Sequence, residues 1–343
     1  MAQLVTLGET MAAFAPDRIG PLRYVSSYSI RTAGAESNTA IGAAKLGVSA
    51  AWISRLGADE FGQYIRSQIR AEGVDCTGVT FDPAHRTGVM FKQTGSGETS
   101  VFYYRENSAA SHMTPQDLPE EMFRDCRILH LSGITPVLSD SCAETVQAAV
   151  RLAKSCGAKL SFDPNIRRKL WNGRDCVPML RQLTTDAEIV LMGLDEAETL
   201  FGTRDVRALC AELFTTGCAE VIALKDGGNG AWIADRSGCI RLEPQPCRCI
   251  DPIGAGDSFN AGVVWCPCHG GARRRGGLPG CCPSGSHFER GRNGLPVKRR
   301  VLLWICMKCS PKIRCLPSCA MCPRRSRWIM RGPSSRAAYR CSR

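Results

Sequence analysis

The stretch DPIGAGDSFNAG at residues 251–262 sets two glycines and a carboxylate at what reads as the start of a helix. Gly254, Ala255 and Gly256 let backbone N–H groups converge on one point, where the helix dipole adds partial positive charge. A turn of this kind stabilises an anion, or the charge developing on a phosphoryl group in transfer. Asp257, in the first turn, can take the proton of an alcohol that attacks phosphorus. The competing reading is that Asp257 only caps the helix. A second glycine turn lies in KDGGNGAWI, residues 225–233. There Gly227, Gly228 and Gly230 either bring backbone close to a ligand or simply close a hairpin. The third candidate is AGAESN, residues 33–38, where Gly34 precedes a helix expected to begin near Asn38. Backbone and amide at that point can grip hydroxyl groups, or form an ordinary turn with an Asn cap. No G-x-x-x-x-G-K-[ST] run occurs, and no G-x-G-x-x-G follows the first strand. A nucleotide, if bound, is held in another way.

These residues need a frame. Unbroken apolar runs at 4–8, 50–57, 127–133, 159–163, 188–193 and 220–225 read as interior strands. Helical stretches separate most of them, such as 38–48 and 140–156. Strand–helix alternation with apolar strands predicts an α/β fold with a mainly parallel central sheet covered on both faces. Residues 11–33 and 87–105 break the alternation. They interleave β-branched or aromatic residues with polar ones around glycine turns, which is the pattern of hairpins. They are expected to form a small β lid over the C-terminal edge of the sheet.

Charge divides the chain in two. Residues 265–343 hold 18 Lys and Arg against the single acid Glu289, leaving residues 1–264 at about −5. The body is therefore mildly acidic, which argues against a nucleic-acid protein despite the overall charge of +12. MAQLVTLGET has no basic start and carries Glu9 early, unlike a secretory signal, so a cytoplasmic place is expected. No run is long enough to span a bilayer. Domain boundaries are set at 1–264 for the body and 265–343 for a Cys- and Arg-rich tail. The tail has neither helical period nor strand alternation, and reads as frameshifted or disordered sequence. Its CMKCSPKIRCLPSCAMC, residues 306–322, leaves a zinc module as the other reading.

Taken together and in this order, the three glycine motifs resemble the ribokinase-type (PfkB) family of carbohydrate kinases. The resemblance covers residues 3 to about 264. It implies a three-layer ribokinase-like fold, ATP and Mg2+ as cofactors, and transfer of the γ-phosphoryl group to a sugar hydroxyl. By that resemblance Asp257 is the general base, and Gly254, Ala255 and Gly256 form an anion hole. Lys225, Gly227, Gly228 and Gly230 belong to the nucleotide site. AGAESN, VFYYRENSAA (101–110), FDPNIRRKLW (162–171) and GLDEAETLFG (193–202) look like the 2-keto-3-deoxygluconate kinase branch. Such a substrate is a sugar acid, and its carboxylate needs a cation. Arg105, on the lid hairpin, and Arg167, after a strand end, can each present a planar fork, or else sit in surface ion pairs. The resemblance adds Gly34, Asn38, Tyr103 and Tyr104 to the sugar pocket. It sets Glu196, Asp163 and Asn165 near the metal and phosphates. It also implies that pairing of two copies through the lid is open to the chain. A kinase of the same fold for a neutral sugar such as fructose or ribose, or an inactive remnant, are the alternatives. The departure is the end: nothing after Val264 matches the family's closing helices, so the chain as written is expected to be weakly active or insoluble.

Overall fold

The computed structural model describes residues 2–95, 99–244 and 254–269. Asp251–Ile253 of the first motif, the segment beyond His269 and the zinc spacing within it lie outside the described residues. Among the described residues the strands begin with β1 (Leu4–Leu7), β2 (Met11–Pro16), β3 (Tyr28–Ala33), β4 (Ala50–Gly57), β5 (Val79–Asp82), β6 (Val89–Thr94) and β7 (Thr99–Tyr104). They continue with β8 (Ile128–Ser132), β9 (Lys159–Asp163), β10 (Ile189–Gly193), β11 (Val221–Lys225), β12 (Ala231–Asp235) and β13 (Gly238–Leu242). The helices are α1 (Ala35–Lys45), α2 (Glu60–Ala71), α3 (Thr135–Leu138), α4 (Asp140–Ser155), α5 (Val177–Thr185), α6 (Leu194–Phe201), α7 (Val206–Thr216) and α8 (Ala255–His269).

Nine strands form the central sheet in the order β13-β12-β11-β10-β9-β8-β1-β4-β5. All neighbours pair in parallel except at the β11-β12-β13 edge, which is antiparallel. Each apolar strand serves two cores because successive side chains leave opposite faces. Val5, Leu7, Leu129, Val190 and Leu224 pack on one side with Val146 and Ala149 of α4, Leu180 of α5 and Leu209 of α7. Leu4, Trp52, Leu191 and Ala223 pack on the other with Ile41 of α1, Ile65 and Ile69 of α2, and Val263 of α8. This is the three-layer α/β arrangement expected. The second sheet, β3-β2-β6-β7, is built from the two hairpin segments and forms the small lid.

Two expectations change. α1 begins at Ala35 rather than near Asn38, with Gly34 in extended backbone before it. A Cβ on Gly34 would meet Thr10 Oγ1 at 2.4 Å and the Glu9 carbonyl at 2.5 Å. That close crossing, not an Asn cap, fixes the helix start. The second change is that α8 continues past Val264 to His269. Val264 and Cys268, four residues apart, both face the second core and are buried. Trp265 Nε1 donates to the Leu46 carbonyl at 3.1 Å, and Arg127 Nη1 to the Cys268 carbonyl at 2.9 Å. Pro267 lies near the helix end, so it interrupts only the closing turn. The helix thus ends five residues beyond Val264.

Candidate active site

The C-terminal ends of the parallel strands open into a cavity of about 1140 Å³ beneath the lid. Open α/β sheets bind ligands at this edge. Gly254, Gly256 and Asp257 reach it from the start of α8. Gly254 has φ 85°, a left-handed turn that suits glycine. The first bond of the helix runs from Ser258 N to the Gly254 carbonyl at 2.9 Å. The N–H groups of Ala255, Gly256 and Asp257 precede that bond and have no partner within the helix. Ala255 itself is exposed and is not part of the cavity wall.

Asp257 does more than cap. Asn38 Nδ2 of α1 donates to its Oδ2 at 2.7 Å. Burial pushes the Asp257 carboxyl up to about 7; the Asn38 bond pulls it down, and the charge of Asp163 adds to the rise. α1 and α8 meet in a repeating register. Asn38 faces Asp257, a Cβ on Gly42 would lie 2.6 Å from Ala261 Cβ, and Trp265 reaches the Leu46 carbonyl. Each pair stands four residues beyond the last, so the two helices pack along their i, i+4 rows.

Asp163, at the end of β9, is buried and closely held. Its Oδ2 accepts from Lys225 Nζ at 2.6 Å and Asn260 Nδ2 at 2.6 Å, and its Oδ1 from Asn165 N at 3.2 Å. Burial works against the Asp163 charge, but Lys225 outweighs it and holds the carboxyl below its usual range. Burial likewise pulls Lys225 down, and Asp163 and Glu196 outweigh it, so the ammonium stays above its ordinary value. Glu196 accepts from the backbone N–H of Gly193 at 2.6 Å and Ile166 at 2.8 Å. Burial, then the charge of Asp163, raises its carboxyl. Asn165 holds φ 38°, an uncommon left-handed conformation for a side-chain-bearing residue. Among the described residues no cluster of three or more His, Cys, Asp or Glu is arranged to cage a metal. The oxygens of Asp163 and Glu196 are already engaged by the protein. That donor set fits Mg2+ held mainly by phosphates and water, as this ion commonly is.

On the lid side, Gly34, Asn38, Tyr103, Arg105 and Arg167 border the same cavity. Arg167 is exposed. Arg105 is not free, since its Nη2 donates to Glu9 Oε2 in a buried ion pair. Tyr104 belongs elsewhere. It lies edge-on to Phe91 at 5.7 Å and borders a second cavity of about 620 Å³ with Asp59 and Arg86. Of the second glycine turn, only Lys225 reaches the large cavity. Gly227 and Gly228 are exposed, and a Cβ on Gly230 would strike the Leu242 carbonyl at 2.1 Å, a hairpin constraint. Three site neighbours escaped the sequence reading: Glu9, Asn260 and Glu36. Glu36 is buried, accepting from Ser132 Oγ at 2.6 Å and Thr135 Oγ1 at 2.9 Å. Asn260 was findable, three residues after Asp257 and hence on the same helix face. Glu9 was visible only as a polar residue just past an apolar strand.

Comparison with known proteins agrees with this geometry. The pfkB family carbohydrate kinase profile matches residues 1–273. The chain is 35% identical to the 2-dehydro-3-deoxygluconokinase of Bacillus subtilis (strain 168) over 266 residues, 76% of this chain and 81% of that one. It is 30% identical to the probable fructokinase-2 of Arabidopsis thaliana, over 75% of this chain and 78% of that one. Among solved structures, it is similar to a putative ribokinase II of E. coli in complex with ATP and Mg2+. That match has TM-score 0.72 and 25% identity, covering 78% of this chain and 86% of the other.

Proposed function

The chain belongs to the pfkB family of carbohydrate kinases, and within it we propose that this protein phosphorylates 2-keto-3-deoxygluconate at the 6-hydroxyl, giving 2-keto-3-deoxy-6-phosphogluconate. The observation that carries the reading is that two arginines, Arg105 and Arg167, border the same cavity as Asp257. A neutral sugar carries no charge for them to pair with, whereas a sugar acid suits cations at one end and a base at the other. ATP with Mg2+ would supply the phosphoryl group. The chain's own residues supply the rest. Asp257, poised near neutrality, takes the proton of the attacking hydroxyl. The N–H groups at the start of α8, which have no partner within the helix, stabilise negative charge beside it. Lys225 brings positive charge to the phosphates, and Asp163 keeps that ammonium in place. Asn38 orients the base through its Nδ2, beside the cavity that would take the sugar.

A substrate panel tests this. The 2-keto-3-deoxy acid is expected to be turned over, and fructose and ribose to be much poorer; the reverse order sinks the reading. Asp257→Asn keeps shape and the bond to Asn38 but cannot accept the proton. It is expected to lose about 10²- to 10⁴-fold in kcat while binding the sugar acid nearly normally. Undiminished turnover would remove Asp257 from the chemistry.

A further inference from the structure

Glu9 lies in the short crossing from β1 of the body to β2 of the lid, and Arg105 directly follows β7, where the chain leaves the lid. Glu9 is almost wholly enclosed, with 4% of its surface exposed. Both its oxygens are used: Oε2 accepts from Arg105 Nη2, and Oε1 accepts from Ser108 Oγ at 2.7 Å. The carboxylate has no room to swing away. A Cβ on Gly88 would lie 2.7 Å from Glu9 Oε1 and 3.3 Å from Arg105 Cβ, so the pair is wedged on that side as well.

The arginine, in contrast, has a choice. It borders both the large cavity and the smaller one on the other side of the lid, whereas Glu9 borders only the large one. Its Nε is buried and lacks a hydrogen-bond partner. Protein interiors seldom leave such a donor unmet, and a planar guanidinium held at one nitrogen keeps its remaining N–H groups in a fixed fork.

We propose that Glu9 is the positioning residue for Arg105: it fixes the guanidinium at the large cavity so that N–H groups left free by Glu9 receive the substrate's carboxylate. This rests on the sugar-acid reading above. Glu9 does not touch the reacting atoms. It sets how well the acid end is gripped and leaves the phosphoryl end alone.

The experiment measures kcat and KM for 2-keto-3-deoxygluconate and for ATP, with melting temperature, in wild type, Glu9→Ala, Glu9→Gln, Arg105→Ala and the Glu9→Ala/Arg105→Ala double variant. Glu9→Ala is expected to raise the sugar-acid KM roughly tenfold while the ATP KM moves less than about twofold. Glu9→Gln, which keeps an oxygen for Nη2, is expected to recover most of that loss. The double variant is expected to be no worse than Arg105→Ala alone, because the two residues act as one unit. Additive losses in the double variant overturn the proposal. So does an unchanged sugar-acid KM in Glu9→Ala, or an equal rise for both substrates that Gln does not rescue. If Glu9→Ala fails to fold, Ser108→Ala carries the same expectation with a smaller rise, since it removes the hydroxyl that anchors Oε1. A wild type that phosphorylates only neutral sugars overturns the substrate reading and this one with it. A wild type that takes the acid while the variants do not shift overturns this one alone.

Discussion

Asp257 sits at a compromise between stability and reactivity. Its carboxyl is raised from an ordinary 3.8 to about 7, so the folded protein holds a proton that the unfolded chain gives up between those values. The native state binds more protons in that window, and stability falls as pH rises through it. Above about pH 7 the ionised base is a standing cost to the fold. Asp257→Asn is therefore expected to melt higher than wild type at pH 8, by something on the order of 2 kcal/mol, with the difference shrinking toward pH 5. Denaturant melts at the two pH values check this. A variant less stable at pH 8 would mean that the carboxylate is stabilised in place. In the same vein, kcat/KM of the wild type is expected to fall about tenfold per unit below pH 7. At this scale the position of Asp257 behind its glycines was legible, because such a turn marks a helix start; its role was not, because an acid there can also serve only as a cap. The partners Glu9 and Glu36 were not, because nothing in a linear text shows which strand end a lone carboxylate will face.

The pairing of α1 with α8 joins Asn38 and Asp257 into one assembly. Its rungs are Asn38–Asp257, Gly42–Ala261 and Leu46–Trp265. The middle rung leaves no space for a methyl group. Gly42→Ala is expected to cost about 1–3 kcal/mol through overpacking, in spite of alanine's better helix propensity. It is also expected to lower kcat, by pushing the base away from Asn38. Ala261→Gly should restore both in the double variant. If Gly42→Ala alone is stabilising, the helices have more slack than this register allows. The strands were readable because interior parallel strands are apolar on both faces. The last turns of α8 were not, since WCPCH carries a proline and no charged face, and only tertiary contacts to Leu46 and Arg127 reveal the helix there.

For the molecule as a whole, composition changes abruptly where the family's closing helices belong. The match to the Bacillus relative covers 76% of this chain and 81% of that one. Residues 265–343 hold 18 basic residues and one acid, a composition ill-suited to covering an apolar sheet face. Exposed apolar surface costs roughly 25 cal/mol per Å², and several helix faces would rival a domain's net stability of about 5–15 kcal/mol. A chimera carrying the relative's C-terminal segment after His269 is expected to be more soluble, to melt higher and to turn over faster than the chain as written. Equal behaviour of the two would make the Cys- and Arg-rich segment a working part of the protein. Among the described residues no helix is long and apolar enough to cross a membrane.

The register between α1 and α8 also bears on how the protein is born. Its outer rungs each join residues 219 positions apart. At about 5–20 residues per second, a ribosome takes on the order of 10–40 s to add the second half of a rung after the first. During that interval every strand of the central sheet but β1 is made, yet Asn38 has no Asp257 to bond and Ile41 has no Val263 to pack beside. The nascent chain therefore presents an uncovered apolar face until its final described helix arrives. The Asn38–Asp257 bond, and with it the register of α1 on α8, can form only once this helix has been made.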